Sequence, residues 1–409
     1  MKSVLVISPY FPPQGNPQAL QTWRKVKAFC WYGLEVTVLA ARVDEVEGIN
    51  FHVHSELPLN VEGLTVHRFP AGQPVFRKID LLRKAYRLVR PYDTGMLLKG
   101  LQHALISLLK QHDYDVIISI AEPLASHAAL LSAQAFVHKA KQVYWFSDPV
   151  PMVANANMMK LAWRRRQCEK IARLCVQHGD LIIGVTEEII NPIRTLYPQK
   201  SARFRVIPHC LDECDWPWPP QPPQRRTDSG VTLLHSGALY YTRNPFVLLE
   251  GIELTSRVLS DLPPIRVRLQ GAVAPHIAQR LRAWKDRVSV DIEGPRSFVE
   301  SKRAMVEADI LCIIDCDLPQ NVHLPSKLAD YIGACRPILY IGKRNSPTYR
   351  LLTRVNHPAF AQAETPQQIP MALRSLVSKC NNVSLDEYKK VYDQFISTRV
   401  HVWVFDLIK

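Results

Sequence analysis

Short apolar runs rich in Val and Ile recur along this chain, and a stretch of helical character separates each from the next. SVLVIS (3–8), LEVTVLAA (34–41), YDVIISIA (114–121), QVYWFSD (142–148), GDLIIGVT (179–186) and FRVIP (204–208) form a first series. Runs this short and continuous suit strands buried on both faces, the habit of a parallel sheet covered by helices. Residues 3–8, a helical stretch over 18–32 and residues 34–41 already make one βαβ unit. Thr186, just before EEII, is placed to cap a helix through its hydroxyl.

The series then breaks and begins again. DWPWPPQPPQRRTDSG (215–230) carries too much Pro for the interior of a helix or sheet, so it reads as a stiff linker or exposed loop. Beyond it come VTLLHSG (231–237), IRVRLQG (265–271), VSVDIEG (288–294), ADILCIID (308–315) and RPILYIG (336–342). At 409 residues the chain is long for one core and suits two α/β domains. The expected division is a Rossmann-like domain over 1–210, a linker over 211–229 and a second Rossmann-like domain over 230–385. A helical segment over 386–409 is expected to return to the first domain. Doubly wound parallel sheets bind ligands outside the carboxyl ends of their strands, so a cleft between two facing sheets is the expected site.

Composition narrows the class. The hydrophobic fraction of 47% with 22% charged residues describes a globular chain. No apolar run approaches the roughly 18 residues that span a bilayer. MKSVLVISPYFPP reads as a first buried strand and not as a signal peptide, which makes a cytoplasmic location the expectation. Nine cysteines, an odd number scattered through apolar segments, suggest reduced core thiols. The pairs Cys210/Cys214 and Cys312/Cys316 lack the spacing of a zinc site. The formal net charge of +14, spread over both halves, favours phosphorylated ligands, an anionic membrane surface or nucleic acid without choosing among them.

Familiar cofactor motifs are missing. No Gly-x-Gly-x-x-Gly follows a strand, GKRNS near residue 342 lacks the upstream Gly of a P-loop, and nothing resembles a Ser nucleophile elbow. Three constellations remain. LLHSGALYYTRNP (233–245) runs from a strand into a turn at Gly237, with Arg243 at the head of a helix, a setting for a diphosphate; a solvated loop Arg is the plainer reading. In HLPSKLADYIGACRPILYIG (323–342), Pro325 and Ser326 start a helix whose first turn carries Lys327 and Asp330. Free amides and a Lys there suit phosphate and an Asp suits ribose hydroxyls, while a capped helix with an ion pair is the structural alternative. Asp315 and Asp317 form an Asp-x-Asp that could clamp Mg²⁺ or Mn²⁺, but its place at the end of a late strand favours a role without metal.

Taken together, these segments resemble family 4 of the retaining glycosyltransferases, of the GT-B fold, and especially the enzymes that build bacterial surface polysaccharides. The resemblance covers most of the chain. It rests on ISPYFPPQGNPQALQTWRKVKAF with GLEVTVLAA, on VYWFSDP and GDLIIGVTEEI with VIPHCLD, on HSGALYYTRNP, and most specifically on PSKLADYIGACRPIL. It implies transfer of a hexose-type sugar, with retention, from a nucleoside-diphosphate donor to a saccharide or lipid-linked acceptor. No metal or other cofactor is expected. Gly15 and Asn16 would face the donor phosphates from the first domain, and Asp148 would lie near the reacting sugar. Arg243 and Lys327 would neutralise the leaving diphosphate, beside Gly237 and Ser326. Asp330 stands where the family has the second Glu of a pair with seven residues between them. Eight positions earlier stands Val322, so the first Glu is absent and Asp317 or Asn321 would substitute. The family's proposed front-face substitution lets the departing phosphate take the acceptor's proton.

Other readings stay open. A nucleotide-sugar epimerase could use the same fold, and a non-catalytic basic protein could bind membrane or nucleic acid. No zinc finger or aromatic-basic RNA motif supports nucleic acid. RKIDLLRKAYRLVR (77–90) holds six basic residues and one acidic residue, with Ile79, Leu82, Tyr86 and Val89 at helical spacing. It reads either as a core-facing helix with a solvated basic face or as a helix resting on anionic lipid at the inner membrane face.

Overall fold

The computed structural model describes residues 2–42, 57, 59–70, 93, 97–121, 123–150, 162–196, 203–220, 230–240, 242–318, 321–380 and 382–408. Two compact units emerge: Met1–Pro208 with Val400–Lys409, and His209–Arg399. In the first, β1 (Ser3–Ile7), β2 (Glu35–Ala41), β3 (Leu64–Phe69), β4 (Val116–Ala121), β5 (Lys141–Phe146), β6 (Leu181–Gly184) and β7 (Arg203–Val206) make one sheet in the order β3-β2-β1-β4-β5-β6-β7. Every neighbouring pair is parallel. Helix α1 (Pro17–Trp31) makes the crossover between β1 and β2. Helices α2 (Leu98–Gln111), α3 (Ala125–Ser132), α4 (Ala162–His178) and α5 (Glu187–Leu196) alternate with the later strands. Thr186 caps α5 as expected, its Oγ1 accepting from the Ile189 amide at 3.2 Å.

The second unit repeats the plan. Strands β8 (Val231–Ser236), β9 (Ile265–Gln270), β10 (Val290–Gly294), β11 (Ile310–Ile314), β12 (Ile338–Ile341) and β13 (Phe360–Ala363) form a parallel sheet in the order β10-β9-β8-β11-β12-β13. Its helices are α6 (Phe246–Val258), α7 (Pro275–Leu281), α8 (Phe298–Glu307), α9 (Lys327–Ala334), α10 (Pro347–Arg354), α11 (Ile369–Lys379) and α12 (Leu385–Tyr392), with the short α13 (Ser397–Val400) where the chain leaves the unit. In both sheets the strand order reverses once, between β1 and β4 and between β8 and β11. That reversal leaves a crevice at the carboxyl ends of the two central strands. The central strands β4 and β11 are buried along their whole length, which explains their unbroken apolar sequences.

Two expectations about the chain's course need correcting. The linker expected over 211–229 is, in its described part, built into the second unit. Leu211 and Trp216 are core residues, and Leu211 bridges to Ile396. The segment expected to return over 386–409 is divided. Helix α12 packs in the second core through Tyr388, Val391 and Tyr392, whereas Trp403 and Val404 of the closing turn and α14 (Val404–Ile408) fill the first. The cysteines are free thiols, and Cys168, Cys175, Cys210, Cys312 and Cys335 are buried. Among the described residues no helix is long and apolar enough to cross a membrane. The basic segment 77–90 lies outside the described residues.

Candidate functional site

In the second unit the switch-point crevice is lined by cations. Strand β8 ends at Ser236 and turns at Gly237, whose φ of +149° suits a residue without a side chain. The Lys327 side chain, from the start of α9, runs to this turn so closely that a Cβ at Gly237 would lie 2.2 Å from its Nζ. Lys327 Nζ also stands 3.2 Å from Nε2 of His235, a fully buried residue of β8. Burial pushes the Lys327 ammonium well below the usual lysine range, and the nearby Arg243 adds to that push. Arg243 reaches the same place from the loop after β8. Its guanidinium lies 5.3 Å from the Tyr240 ring centroid, and its Nε is buried with no hydrogen-bond partner among the described residues. Burial works against the Arg243 cation, but Cys316, Tyr240 and Asp315 outweigh it and the net shift is upward.

The framework behind these cations is hydrogen-bonded throughout. Tyr331 of α9 receives the Ser236 amide at 2.9 Å and donates to the Cys312 carbonyl at 3.2 Å, tying the helix to β8 and β11. Ser236 Oγ donates to Gln270 at 3.1 Å, and the Gly237 amide donates to the Gln270 carbonyl at 2.7 Å. Asp315, at the carboxyl end of β11, accepts from Tyr340 at 2.9 Å and from the Cys316 amide at 2.9 Å. One buried carboxylate beside two cations leaves a site with surplus positive charge, suited to an anion of more than one charge.

Not every expected ligand belongs to this cluster. Asp330, at 6% exposure, accepts the Trp216 indole N–H on one carboxylate oxygen at 3.0 Å, and that oxygen ties it to the second core. Asp317 is mostly exposed and pairs with Lys343 at 3.3 Å instead of converging with Asp315. Asn321 is buried; its carbonyl accepts the His323 amide at 3.1 Å, and its Nδ2 has no partner among the described residues. Ser326 occupies the N-cap position of α9 with no side-chain capping bond. The helix after Arg243 begins at Phe246, so Arg243 sits in the approach loop and not on the first turn. Among the described residues no group of three or more His, Cys, Asp or Glu side chains gathers as metal ligands.

Gly15, Asn16 and Asp148 belong to the first unit. Gly15 lies in the loop between β1 and α1, at the carboxyl end of β1. Asn16 caps α1, its Oδ1 accepting from the Ala19 amide at 2.7 Å, while its Nδ2 and the neighbouring Gln14 Nε2 are buried without partners among the described residues. Asp148 follows β5 by two residues and is partly exposed. His235 was not singled out by sequence reasoning. Its signal was a lone imidazole directly after the apolar pair Leu233 and Leu234, and Tyr331 gave none beyond its place on the helix.

No known family model and no curated protein sequence matches this chain. Solved structures do. Sucrose-phosphate synthase from Thermosynechococcus elongatus is 11% identical, with a TM-score of 0.69 over 100% of this chain and 98% of its own. Anabaena HepE in complex with UDP and glucose is 12% identical, with a TM-score of 0.63 over 99% of each chain. WaaG, a glycosyltransferase involved in lipopolysaccharide biosynthesis, is 15% identical, with a TM-score of 0.63 over 99% of each chain. The fold, two parallel-sheet α/β domains, is therefore of the GT-B class.

Proposed function

We propose that this chain is a glycosyltransferase that moves a hexose-type sugar from a nucleoside-diphosphate donor to a saccharide acceptor, and that its second unit holds the donor. The observation carrying this reading is the Lys327 ammonium lodged against Gly237, with Arg243 beside it, at the switch-point crevice of the second sheet. A nucleoside diphosphate leaving an anomeric carbon gathers negative charge, and preorganised cations in a buried site stabilise that charge most where it develops. The fold shared with HepE, whose structure contains UDP and glucose, supports a donor of this class. The notion of a polysaccharide-type acceptor is supported by the fold shared with WaaG and by PSKLADYIGACRPIL. In this reading Gly15, Asn16 and Asp148 serve the first unit's side of the reaction, the sugar is transferred with retention as in family 4, and the acceptor is a lipid-linked saccharide or polysaccharide precursor. The enzyme works in the cytoplasm at the inner membrane face, seated by the basic segment 77–90.

A panel of UDP-, GDP-, ADP- and dTDP-sugars, screened by thermal stabilisation and then by turnover, tests the reading. A bound donor at 100 times its Kd adds about 2.7 kcal/mol of stability. Arg243→Ala and Lys327→Ala should each cost about 2–4 kcal/mol in transfer. Wild-type turnover in both variants, or interconversion of the donor sugar without an acceptor, would sink it. Transfer is also expected to survive excess EDTA, because Asp315 and Asp317 spend oxygens on Tyr340 and Lys343. Turnover abolished by EDTA and restored by Mn²⁺ would return the Asp-x-Asp pair to a metal role.

A further inference from the structure

We propose that His235 is the positioning residue for Lys327, holding the ammonium at Gly237 through a fixed neutral tautomer. This rests on the reading of Lys327 as a ligand of the donor diphosphate. The direction of each hydrogen bond follows from chemistry. His235 Nδ1 lies 2.9 Å from the Cys312 carbonyl oxygen, which can only accept, so Nδ1 carries the hydrogen. In a neutral ring Nε2 is then an acceptor, and the group 3.2 Å away is a lysine amine whose ammonium form can only donate. The ring has no exposed surface, and burial, aided by the charge of Lys327, keeps it unprotonated.

The arrangement has no packing need for an imidazole. Leu233 and Leu234 precede His235 in β8, and an apolar side chain would serve the core without the cost of burying a polar ring. What the ring adds is a lone pair at one point in the crevice. The Cys312 carbonyl is itself held by Tyr331, which also receives the Ser236 amide, so the anchor is fixed across β8, β11 and α9. A lysine side chain free to swing would lose several rotamers on meeting an anion, and a tether removes much of that loss beforehand. The tether also opposes Arg243, whose like charge works against the Lys327 ammonium in the same space.

The test measures affinity for inorganic pyrophosphate, the part common to all nucleoside diphosphates, in a double-mutant cycle on the full chain. His235→Phe should weaken pyrophosphate binding about tenfold, or ~1.4 kcal/mol. His235→Gln, whose amide can both donate and accept, should restore most of the loss. In a Lys327→Ala background His235→Phe should have no further effect, because a residue acting only through Lys327 has nothing left to act on. The same loss in both backgrounds, or wild-type affinity in His235→Phe, overturns the inference while leaving the diphosphate reading in place. Wild-type affinity in Lys327→Ala instead removes the diphosphate reading. Ring ¹⁵N shifts of the free protein judge the tether independently of any ligand: an Nε2–H tautomer overturns it, and so does a His235 ring that ignores Lys327→Ala.

Discussion

At Gly237 the Lys327 ammonium lies close against the backbone, and two substitutions at this contact should move stability in opposite directions. Gly237→Ala places a methyl group 2.2 Å from Lys327 Nζ and keeps a backbone angle of +149° that side chains rarely adopt. It should cost about 1–3 kcal/mol of stability and remove nucleoside-diphosphate binding, both readable by thermal melts with and without ligand. Lys327→Met should weaken transfer as Lys327→Ala does yet raise the melting temperature. The Lys327 ammonium is disfavoured first by burial and then by Arg243, so its folded-state pKa lies below that of the unfolded chain. Between those two values the unfolded state binds more protons, and wild-type stability rises with pH. The penalty is full below the folded-state pKa and vanishes above about 10.4, the unfolded lysine value. The advantage of Lys327→Met should therefore be largest at low pH and shrink as pH rises towards about 10. A Lys327→Met variant whose advantage over wild type grows with rising pH would contradict this account.

At the scale of elements, α9 is fixed by its contacts with Trp216. Asp330 accepts the Trp216 indole N–H, a Cβ at Gly333 would meet the indole ring at 2.4 Å, and the Trp216 carbonyl receives the Tyr392 hydroxyl. Asp330→Ala leaves a buried N–H unpaired and should cost about 1–3 kcal/mol. Gly333→Ala overpacks the same ring at a similar cost of roughly 1–3 kcal/mol. Because both act on Trp216, the double variant should lose less than the two costs combined in chemical denaturation. This seam also shows what sequence reasoning reaches. The interior strands were readable to within two or three residues because burial on both faces leaves unbroken apolar runs, as in VIISIA of β4 and ILCII of β11. The edge strands β3 and β13 escaped notice: LTVHRF alternates with polar residues, and FAQA is four residues long. Trp216 was read as part of a linker because the Pro-rich run that follows it dominates local composition, while its hydrogen-bond partners Asp330 and Tyr392 lie more than 100 residues onward. Lys327 and Arg243 could be singled out as candidates because cations beside turn and helix-start signals carry a local meaning. The bond from Trp216 to Asp330 could not, since only the folded chain brings the two together.

Over the whole molecule, acid should be the weak direction. Burial holds His127 and His357 at about 3 and drives His235 and His401 well below the usual imidazole range. Each folded-state pKa lies under the unfolded value of about 6.5, so the neutral rings contribute in full above that pH. As pH falls below 6.5 the unfolded chain takes up protons that the folded chain refuses, and each ring costs up to about 1.4 kcal/mol per pH unit. His127 and His401 lie in the first unit, His235 and His357 in the second, so both units should lose stability between pH 6.5 and 4. Melting temperatures across that range check it, and a flat profile would show that the rings become protonated without unfolding. The return of the chain at Val400 has a different consequence, for biosynthesis. Trp403 packs against Phe29 and Trp145, with ring centroids 6.0 and 6.1 Å away, and Val404 is wholly buried with them. Residues 209–399 are one uninterrupted stretch, so that unit has all its parts once residue 399 has left the ribosome. The amino-terminal unit, translated first, has to wait for the last part of its core until residues 400–408 emerge, and so the half made first is the half finished last.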